Sequence, residues 1–281
     1  MRKDRMFNES ARWNNYTYNQ YYQMLLELSI SMFRWPGIPE TVDTRFLELT
    51  LNSEGQSVFF MDEVLGYLAL QCTTGGKFDV YRVPKKRRAY ASNGYNIPLT
   101  EKNSIIIYNN FLRTSSMLAI ESYARRLYNL DRAIDVNANA QKTPVLLQCS
   151  EQQKLTLKNA YMQYEGNMPF IFGDKNFNPS SVSVLQTGAP YVSDKLYSLK
   201  MQLWNEAYTY IGLPNLAINK KERLLSDEVE SSLAASAAVR NSKLAARQQA
   251  CEKINKMFGL NVWCEFAFNI DNAETEVPIN V

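Results

Sequence analysis

With 281 residues, 46% hydrophobic and 21% charged, the chain can bury the core of one or two domains, and no run reaches the roughly 18 to 20 apolar residues of a membrane span. Histidine is absent, and the four cysteines, Cys72, Cys149, Cys251 and Cys264, form no closely spaced pair, which argues against disulfides, zinc and the commonest proton-transfer chemistry. A net charge of +3 excludes a nucleic-acid affinity built on many phosphate contacts, while weak or transient contact stays open.

The start, MRKDRMFNES, lacks the apolar centre of a signal peptide, so the protein is expected to stay in the compartment where it is made. Arg2, Lys3, Arg5 and Arg12 read as a flexible basic arm, either solvated or touching phosphates. From Tyr16 to Trp35, the residues Tyr21, Leu25, Leu28, Met32 and Trp35 recur at spacings of four and three and predict one helical face, stopped by Pro36 and Gly37.

Residues 41 to 112 read as a small β-rich module. Strands are expected at Ser57–Phe60, Phe78–Val83 and Ser104–Tyr108, with turns at Gly75-Gly76, Ser92-Asn93-Gly94 and Asn109-Asn110 and a helix over Met61–Gln71. The run Lys85-Lys86-Arg87-Arg88 falls in a predicted loop, where it is a solvated turn or a nucleic-acid contact. Gly75-Gly76-Lys77 is no phosphate loop, because Gln71 and Phe78 stand where that motif needs glycine and a hydroxyl residue.

A second long helix is expected from about Ser115, its N-cap, to about Val136, with Met117, Ile120, Ala124, Leu127 and Ile134 near one face. Residues 137 to 188 read as a small α/β insertion: strand Pro144–Cys149, helix Lys154–Tyr164, strand Pro169–Phe172 and strand Ser181–Leu185. A third long helix, Tyr191–Ile211, carries an apolar stripe of Val192, Leu196, Leu199, Leu203 and Tyr210. Opposite it runs a hydrophilic stripe of Lys195, Ser198, Gln202, Asn205 and Thr209. Tyr197, Trp204 and Tyr208 lie between the stripes and suit contact with neighbouring helices. Residues 215 to 242, with Lys220-Lys221, lack a clear core face in their first half and read as mobile in the middle. A last helix, about Ala235 to Phe258, is capped by Gly259 and followed by an alternating strand, Asn261–Phe268. The adjacent carboxylates Asp62-Glu63 and Asp227-Glu228 point in different directions and lack a third ligand, so neither pair is expected to hold a metal.

Several segments resemble the upper collar, or portal, proteins of phi29-type podoviruses. They are Val136-Asn-Ala-Asn-Ala-Gln-Lys-Thr-Pro-Val-Leu, Tyr164-Glu-Gly-Asn, Ala189-Pro-Tyr-Val-Ser-Asp-Lys-Leu, Trp204-Asn-Glu, Lys220-Lys-Glu-Arg with Asp227-Glu-Val, and Ala250-Cys-Glu-Lys-Ile-Asn-Lys with Gly259-Leu-Asn-Val. The resemblance runs from about residue 16 to 270 in one order. It implies an α+β portal fold with long stem helices, a β-rich, SH3-like wing module and a small α/β clip. On that plan residues 1–114 are wing, 115–136 a stem helix, 137–188 the clip, 189–213 a stem helix, 214–242 a channel loop and 243–281 the returning wing helix and strand.

The resemblance further implies a dodecameric ring at one capsid vertex, a channel for double-stranded DNA in packaging and ejection, and no enzyme activity or cofactor. Lys195, Ser198, Gln202, Asn205, Thr209, Lys220 and Lys221 become candidate channel-lining residues, with Lys195 and Lys220-Lys221 matching channel lysines of the family. Arg2, Lys3, Arg5 and Lys85 to Arg88 are candidate nucleic-acid contacts. Glu151, Gln152, Lys154, Asp174 and Lys175 are candidate docking residues for the motor or tail. The implied partners are the packaging ATPase, the major capsid and scaffolding proteins and the lower collar, with a packaging RNA as a further candidate and no membrane. The expected location is the virion, and the host cytoplasm during assembly. Three departures stand out: Gln186 replaces a family channel lysine, the basic arm is shorter, and the chain ends soon after its last strand, so any distal helical crown is expected to be small or absent.

Overall fold

A computed structural model describes residues 2–140, 145–147, 182–184, 190–213 and 226–267. Its contacts divide the chain into two units, residues 1–129 with 200–281, and residues 130–199.

The first unit opens with α1 (Arg2–Ile30) and a two-residue strand, β1 (Phe33–Arg34). The basic arm is therefore helical rather than flexible, and the first helix stops five residues before Trp35. Phe33 and Trp35 are buried while Arg34 is exposed, the period of an extended chain rather than of a helix. This stretch is held by the chain's far end: β1 pairs antiparallel with β9 (Glu265–Phe266), the Trp263 N–H donates to Pro36 O, and the Ala267 N–H donates to Met32 O. Gly37 is required there, because a Cβ would fall 2.1 Å from Asn261 O.

Helix α2 (Thr44–Glu54) starts where the Asp43 carboxylate accepts from the Phe46 N–H and ends at Gly55, whose φ of +81° lets it cap Leu51 O. Five antiparallel strands follow: β2 (Gln56–Asp62), β3 (Gly66–Phe78), β4 (Pro84–Tyr90), β5 (Asn96–Thr100) and β6 (Ser104–Tyr108). They pair in the order β5-β4-β3-β2-β6. Here the sequence-based expectation fails at three places. Met61–Gln71 is not a helix: Asp62 Oδ1 accepts from the N–H groups of Val64 and Leu65, Gly66 turns at φ +79°, and β3 begins. Of the expected strand Phe78–Val83 only Phe78 is in a strand, as the end of β3, while residues 79–83 form a turn templated by Asp79; Lys85–Arg88 lies within β4, not in a loop. Gly75-Gly76 sits inside β3, beside an irregularity in the pairing between Gly75 and Phe78.

β2 is covered on both faces. Val58 and Phe60 join Cys72, Ala89 and Leu99 in the interior of the sheet module, while Phe59 faces the other way and meets Phe258 edge-on at 5.5 Å. Burying each phenylalanine contributes roughly 1.5 to 3 kcal/mol. Phe258 ends α5 (Ser226–Phe258), which packs on β6 and is closed by Gly259 at φ +68°. This helix begins nine residues before the expected Ala235, so residues 226–242 are helical rather than a loop. Of the expected strand Asn261–Phe268, the described residues 261–267 are paired as a strand only at Glu265–Phe266, and Phe268 lies outside the described residues.

Helix α3 (Met117–Ala140) begins just after the Ser115 hydroxyl accepts from the Met117 N–H, and its residues Ile120, Ala124 and Leu127 are fully buried. The second unit holds the end of α3, the pair β7 (Val145–Leu147) and β8 (Val182–Val184) in register Val145 to Val184, and the start of α4 (Ser193–Ile211). Both strands fall within the expected spans. The expected helix Lys154–Tyr164 and strand Pro169–Phe172 lie outside the described residues.

Candidate functional site

Helix α4 carries the hydrophilic stripe, and both of its ends are anchored. At its start, in the second unit, Asn137 Oδ1 accepts from the Val192 N–H at 3.0 Å and the Ser193 hydroxyl at 2.9 Å, while its Nδ2 donates to Pro190 O. Two of the family-like segments, one beginning at Val136 and one at Ala189, thus meet through Asn137. At its end, in the first unit, Gly212 at φ +101° donates to Tyr208 O, and buried Lys243 donates to Ile211 O at 2.9 Å.

The packed face of α4 in the first unit is Leu203, Ala207 and Ile211, each buried and four residues apart. Leu199, expected on that face, is 48% exposed, and Tyr197 beside it is exposed as well. Lys195, Ser198 and Gln202 are exposed, as a wet stripe requires. Asn205 and Thr209 are half-buried. With Gln202 they line an open depression of about 670 Å³, completed by Tyr123 of α3 and by Ala235 and Val239 of α5. Lys220 and Lys221 lie outside the described residues, as do Glu151, Gln152, Lys154, Asp174, Lys175 and Gln186.

The basic run of β4 is sorted by strand alternation. Arg87 points inward, where its guanidinium donates to Pro84 O and to the carbonyl and hydroxyl of Ser104, and burial pushes its pKa below the ordinary arginine value. Lys85, Lys86 and Arg88 are exposed. Lys86 and Arg88 project together from the outer face, beside Thr73 and Gly75 of β3 and Pro98 and Thr100 of β5. Three of the four cations can meet a solvent-borne phosphate, and Arg87 serves the fold. Arg2, Lys3 and Arg5 lie in the first turn and a half of α1.

One constellation escaped the sequence reading. Arg247 of α5, fully buried, uses all five of its N–H donors. It donates to both carboxylate oxygens of Glu48 on α2 at 2.9 and 2.6 Å, to Asn109 O at 2.8 Å and Oδ1 at 3.4 Å, and to Lys243 O at 3.0 Å. Its Cζ lies 4.1 Å from the Phe33 ring centre, and Glu48 also accepts from Trp35 Nε1 at 2.9 Å. Asn109 passes the network to α3 through the Ser116 hydroxyl. The signal for this was a cation at a helical position shared with Ala250, Cys251 and Ile254 at spacings of three, four and seven.

Among the described residues no cluster of acidic, cysteine or histidine side chains could hold a metal, and no helix is long and apolar enough to cross a membrane. Cys72, Cys251 and Cys264 are free and buried, and burial pushes all three thiols well above the ordinary range. Among the described residues the organised features are anchored helices and accessible polar faces.

The sequence matches the family described as Phage Connector (GP10) over residues 4–271. The fold is similar to a chain in the portal and tail of native bacteriophage P68, with 14% identity and a TM-score of 0.52 over 97% of this chain and 94% of that one. It also matches an HK97 family phage portal protein from Corynebacterium diphtheriae, with 11% identity and a TM-score of 0.46 over 89% of this chain and 92% of that one. A third match is a chain in the virion of a native gene transfer agent particle, with 8% identity and a TM-score of 0.44 over 89% and 80%. The match over residues 4–271 shows that the chain belongs to the phage connector family, whose members are structural proteins and not enzymes.

Proposed function

We propose that this chain assembles as a dodecameric ring of the phi29 type, which conducts double-stranded DNA into the capsid during packaging and out of it during ejection. The observation that carries the reading is α4: a long helix anchored at both ends, packed through Leu203, Ala207 and Ile211, with Lys195, Ser198 and Gln202 left in solvent on a chain of the connector family. A face wet in one copy becomes a hydrated wall when copies surround a pore. On this reading α3 and α4 form the stem, residues 137–188 the clip and the five-stranded module an SH3-like wing. Asn205, Thr209, Lys220 and Lys221 continue the lining.

Sparse lysines suit a conduit. Repeated around a ring, one Lys195 per copy makes a belt of charge that meets phosphates briefly, whereas a continuous basic wall would hold the passing duplex. The energy for packaging comes from a separate ATPase docked at the clip, through Glu151, Gln152, Lys154, Asp174 and Lys175. The capsid and scaffolding proteins, the lower collar and a packaging RNA are the further partners. The exposed cations Lys85, Lys86 and Arg88 and the helical arm bearing Arg2, Lys3 and Arg5 are the nucleic-acid contacts outside the channel.

Electron microscopy of the purified chain should show closed rings of twelve copies, and Lys195→Ala rings should assemble normally with altered ion conductance or DNA retention. A monomeric chain would refute the ring, and unchanged conductance would remove Lys195 from the lining.

A further inference from the structure

Two turns at opposite ends of β3 expose apolar side chains; the first is acidic, while in the second Asp79 and Arg82 balance and Arg113 of the adjoining loop adds the excess cation. The turn before β3 presents Met61, Val64 and Leu65, with Val64 90% exposed, alongside Asp62 and Glu63. Glu40 adds to this acidic end, since the following residue, Thr41, donates to Tyr67 O. The turn after β3 presents Phe78, Val80 and Tyr81, with Val80 89% exposed, next to Arg82. Exposed Phe111, Leu112 and Arg113 adjoin it, because Arg113 donates to Arg82 O at 3.4 Å. Lys253 of α5 lies on the same side, lining a cavity of about 160 Å³ with Glu101, Tyr108, Phe111 and Arg113.

Both ends are ordered by their own hydrogen bonds. Asp62 Oδ1 takes the Val64 and Leu65 N–H groups, and Asp79 Oδ1 takes those of Tyr81 and Val83. The Asn110 side chain closes the loop to Thr114. Arg82 and Arg113 both stand at φ +59°, a conformation that residues with a Cβ seldom adopt. Large apolar side chains held outward on ordered turns are the usual mark of an interface.

We infer that these two ends bind each other between adjacent copies: the acidic, apolar turn at residues 61–65 of one copy seats on the basic, apolar tip formed by residues 78–82 and 110–113 of the next. Charge selects this occupant. A tip meeting its own kind across a two-fold axis would bring Arg82 and Arg113 against the same cations, whereas head-to-tail contact pairs them with Glu63 and Glu40. Separation favours it too, since the 13 residues of β3 hold the ends about 40 Å apart, too far for one copy to satisfy itself. Contact between two different surfaces repeats from copy to copy, which is how a closed ring grows. The inference rests on the ring reading and names one of its subunit contacts.

A charge swap in the full-length chain tests it. Glu63→Lys and Arg82→Glu should each raise the concentration needed for assembly about tenfold or more, measured by sedimentation velocity or mass photometry. Circular dichroism and unfolding midpoints should stay parental, because both side chains are exposed. The chain carrying both changes, and an equimolar mixture of the two single variants, should assemble like the parent, since each restores opposite charges across every contact. Single variants that assemble normally, or swaps that restore nothing, would overturn the inference while leaving the ring intact. Normal rings that no longer join capsid shells would assign the two ends to another virion protein and overturn it as well. A parent chain that stays monomeric at every concentration would instead refute the ring reading itself.

Discussion

Replacing Arg247 with methionine would strip the clasp joining α2, the end of β6 and α5. The stem volume is roughly conserved, so the loss is electrostatic. Glu48 keeps one donor, Trp35 Nε1, and remains 1% exposed, while Asn109 O loses the Arg247 N–H at 2.8 Å. Breaking a buried pair by removing one partner costs about 3 to 5 kcal/mol, a large part of the roughly 5 to 15 kcal/mol by which a domain is stable. Adding Glu48→Leu removes the stranded charge but still leaves the Trp35 N–H and the Asn109 carbonyl unpaired, at about 1 to 3 kcal/mol each. The double variant should therefore be no less stable than Arg247→Met alone, and the two single costs should exceed the double cost by at least about 2 kcal/mol. Urea unfolding at one fixed low protein concentration, read by tryptophan fluorescence, measures all three variants. Additive costs, or an Arg247→Met variant within about 1 kcal/mol of the parent, would show that the network does not hold the fold together as described.

Two further tests separate fold from assembly. Lys243 faces Arg247 on its own helix and Glu48 on α2, and burial, reinforced by Arg247, pushes its pKa down to about 7. The unfolded chain, with an ordinary lysine, binds a proton that the folded chain has released, so stability should rise with pH above about 7, by up to about 1.4 kcal/mol per unit. Below that pH both states are protonated and the slope should vanish. Unfolding measured from pH 6 to 8.5, about where unfolded thiols begin to ionise, should show this rise, and Lys243→Met should flatten it; an equal slope in that variant would refute the assignment. Leu203→Asp puts a charge at a site only 2% exposed and should destabilise the chain itself, whereas Leu199→Asp, at 48% exposure, should leave the unfolding midpoint unchanged and block ring formation. Sizing beside denaturation distinguishes them, and normal rings from Leu199→Asp would remove that residue from any subunit contact.

Helical faces and some helix caps were legible in the sequence, because helical hydrogen bonds close over four residues and caps are local, although α1 ended early and α5 began early. The buried Ile120, Ala124 and Leu127, the Ser115 hydroxyl at the start of α3 and Gly259 at the end of α5 all stand where periodicity and capping put them. So did the wetness of Lys195, Ser198 and Gln202, which needs only a helical period. Pairing across long separations was not legible. Leu68 and Ala69 look helical until β2 is beside them, and Lys85 to Arg88 look like a loop until β3 and β5 take their backbone groups and turn Arg87 inward. β1 exists only because β9 returns to it from more than 200 residues away, and Phe33 to Trp35 continue a helical spacing that the chain does not follow. The roles of Arg247 and Glu48 were decided in the same way: a cation and an acid 199 positions apart are ordinary surface residues in a sequence. Only the packing of α5 against α2 and β6 removes both from water and makes each the other's necessary partner.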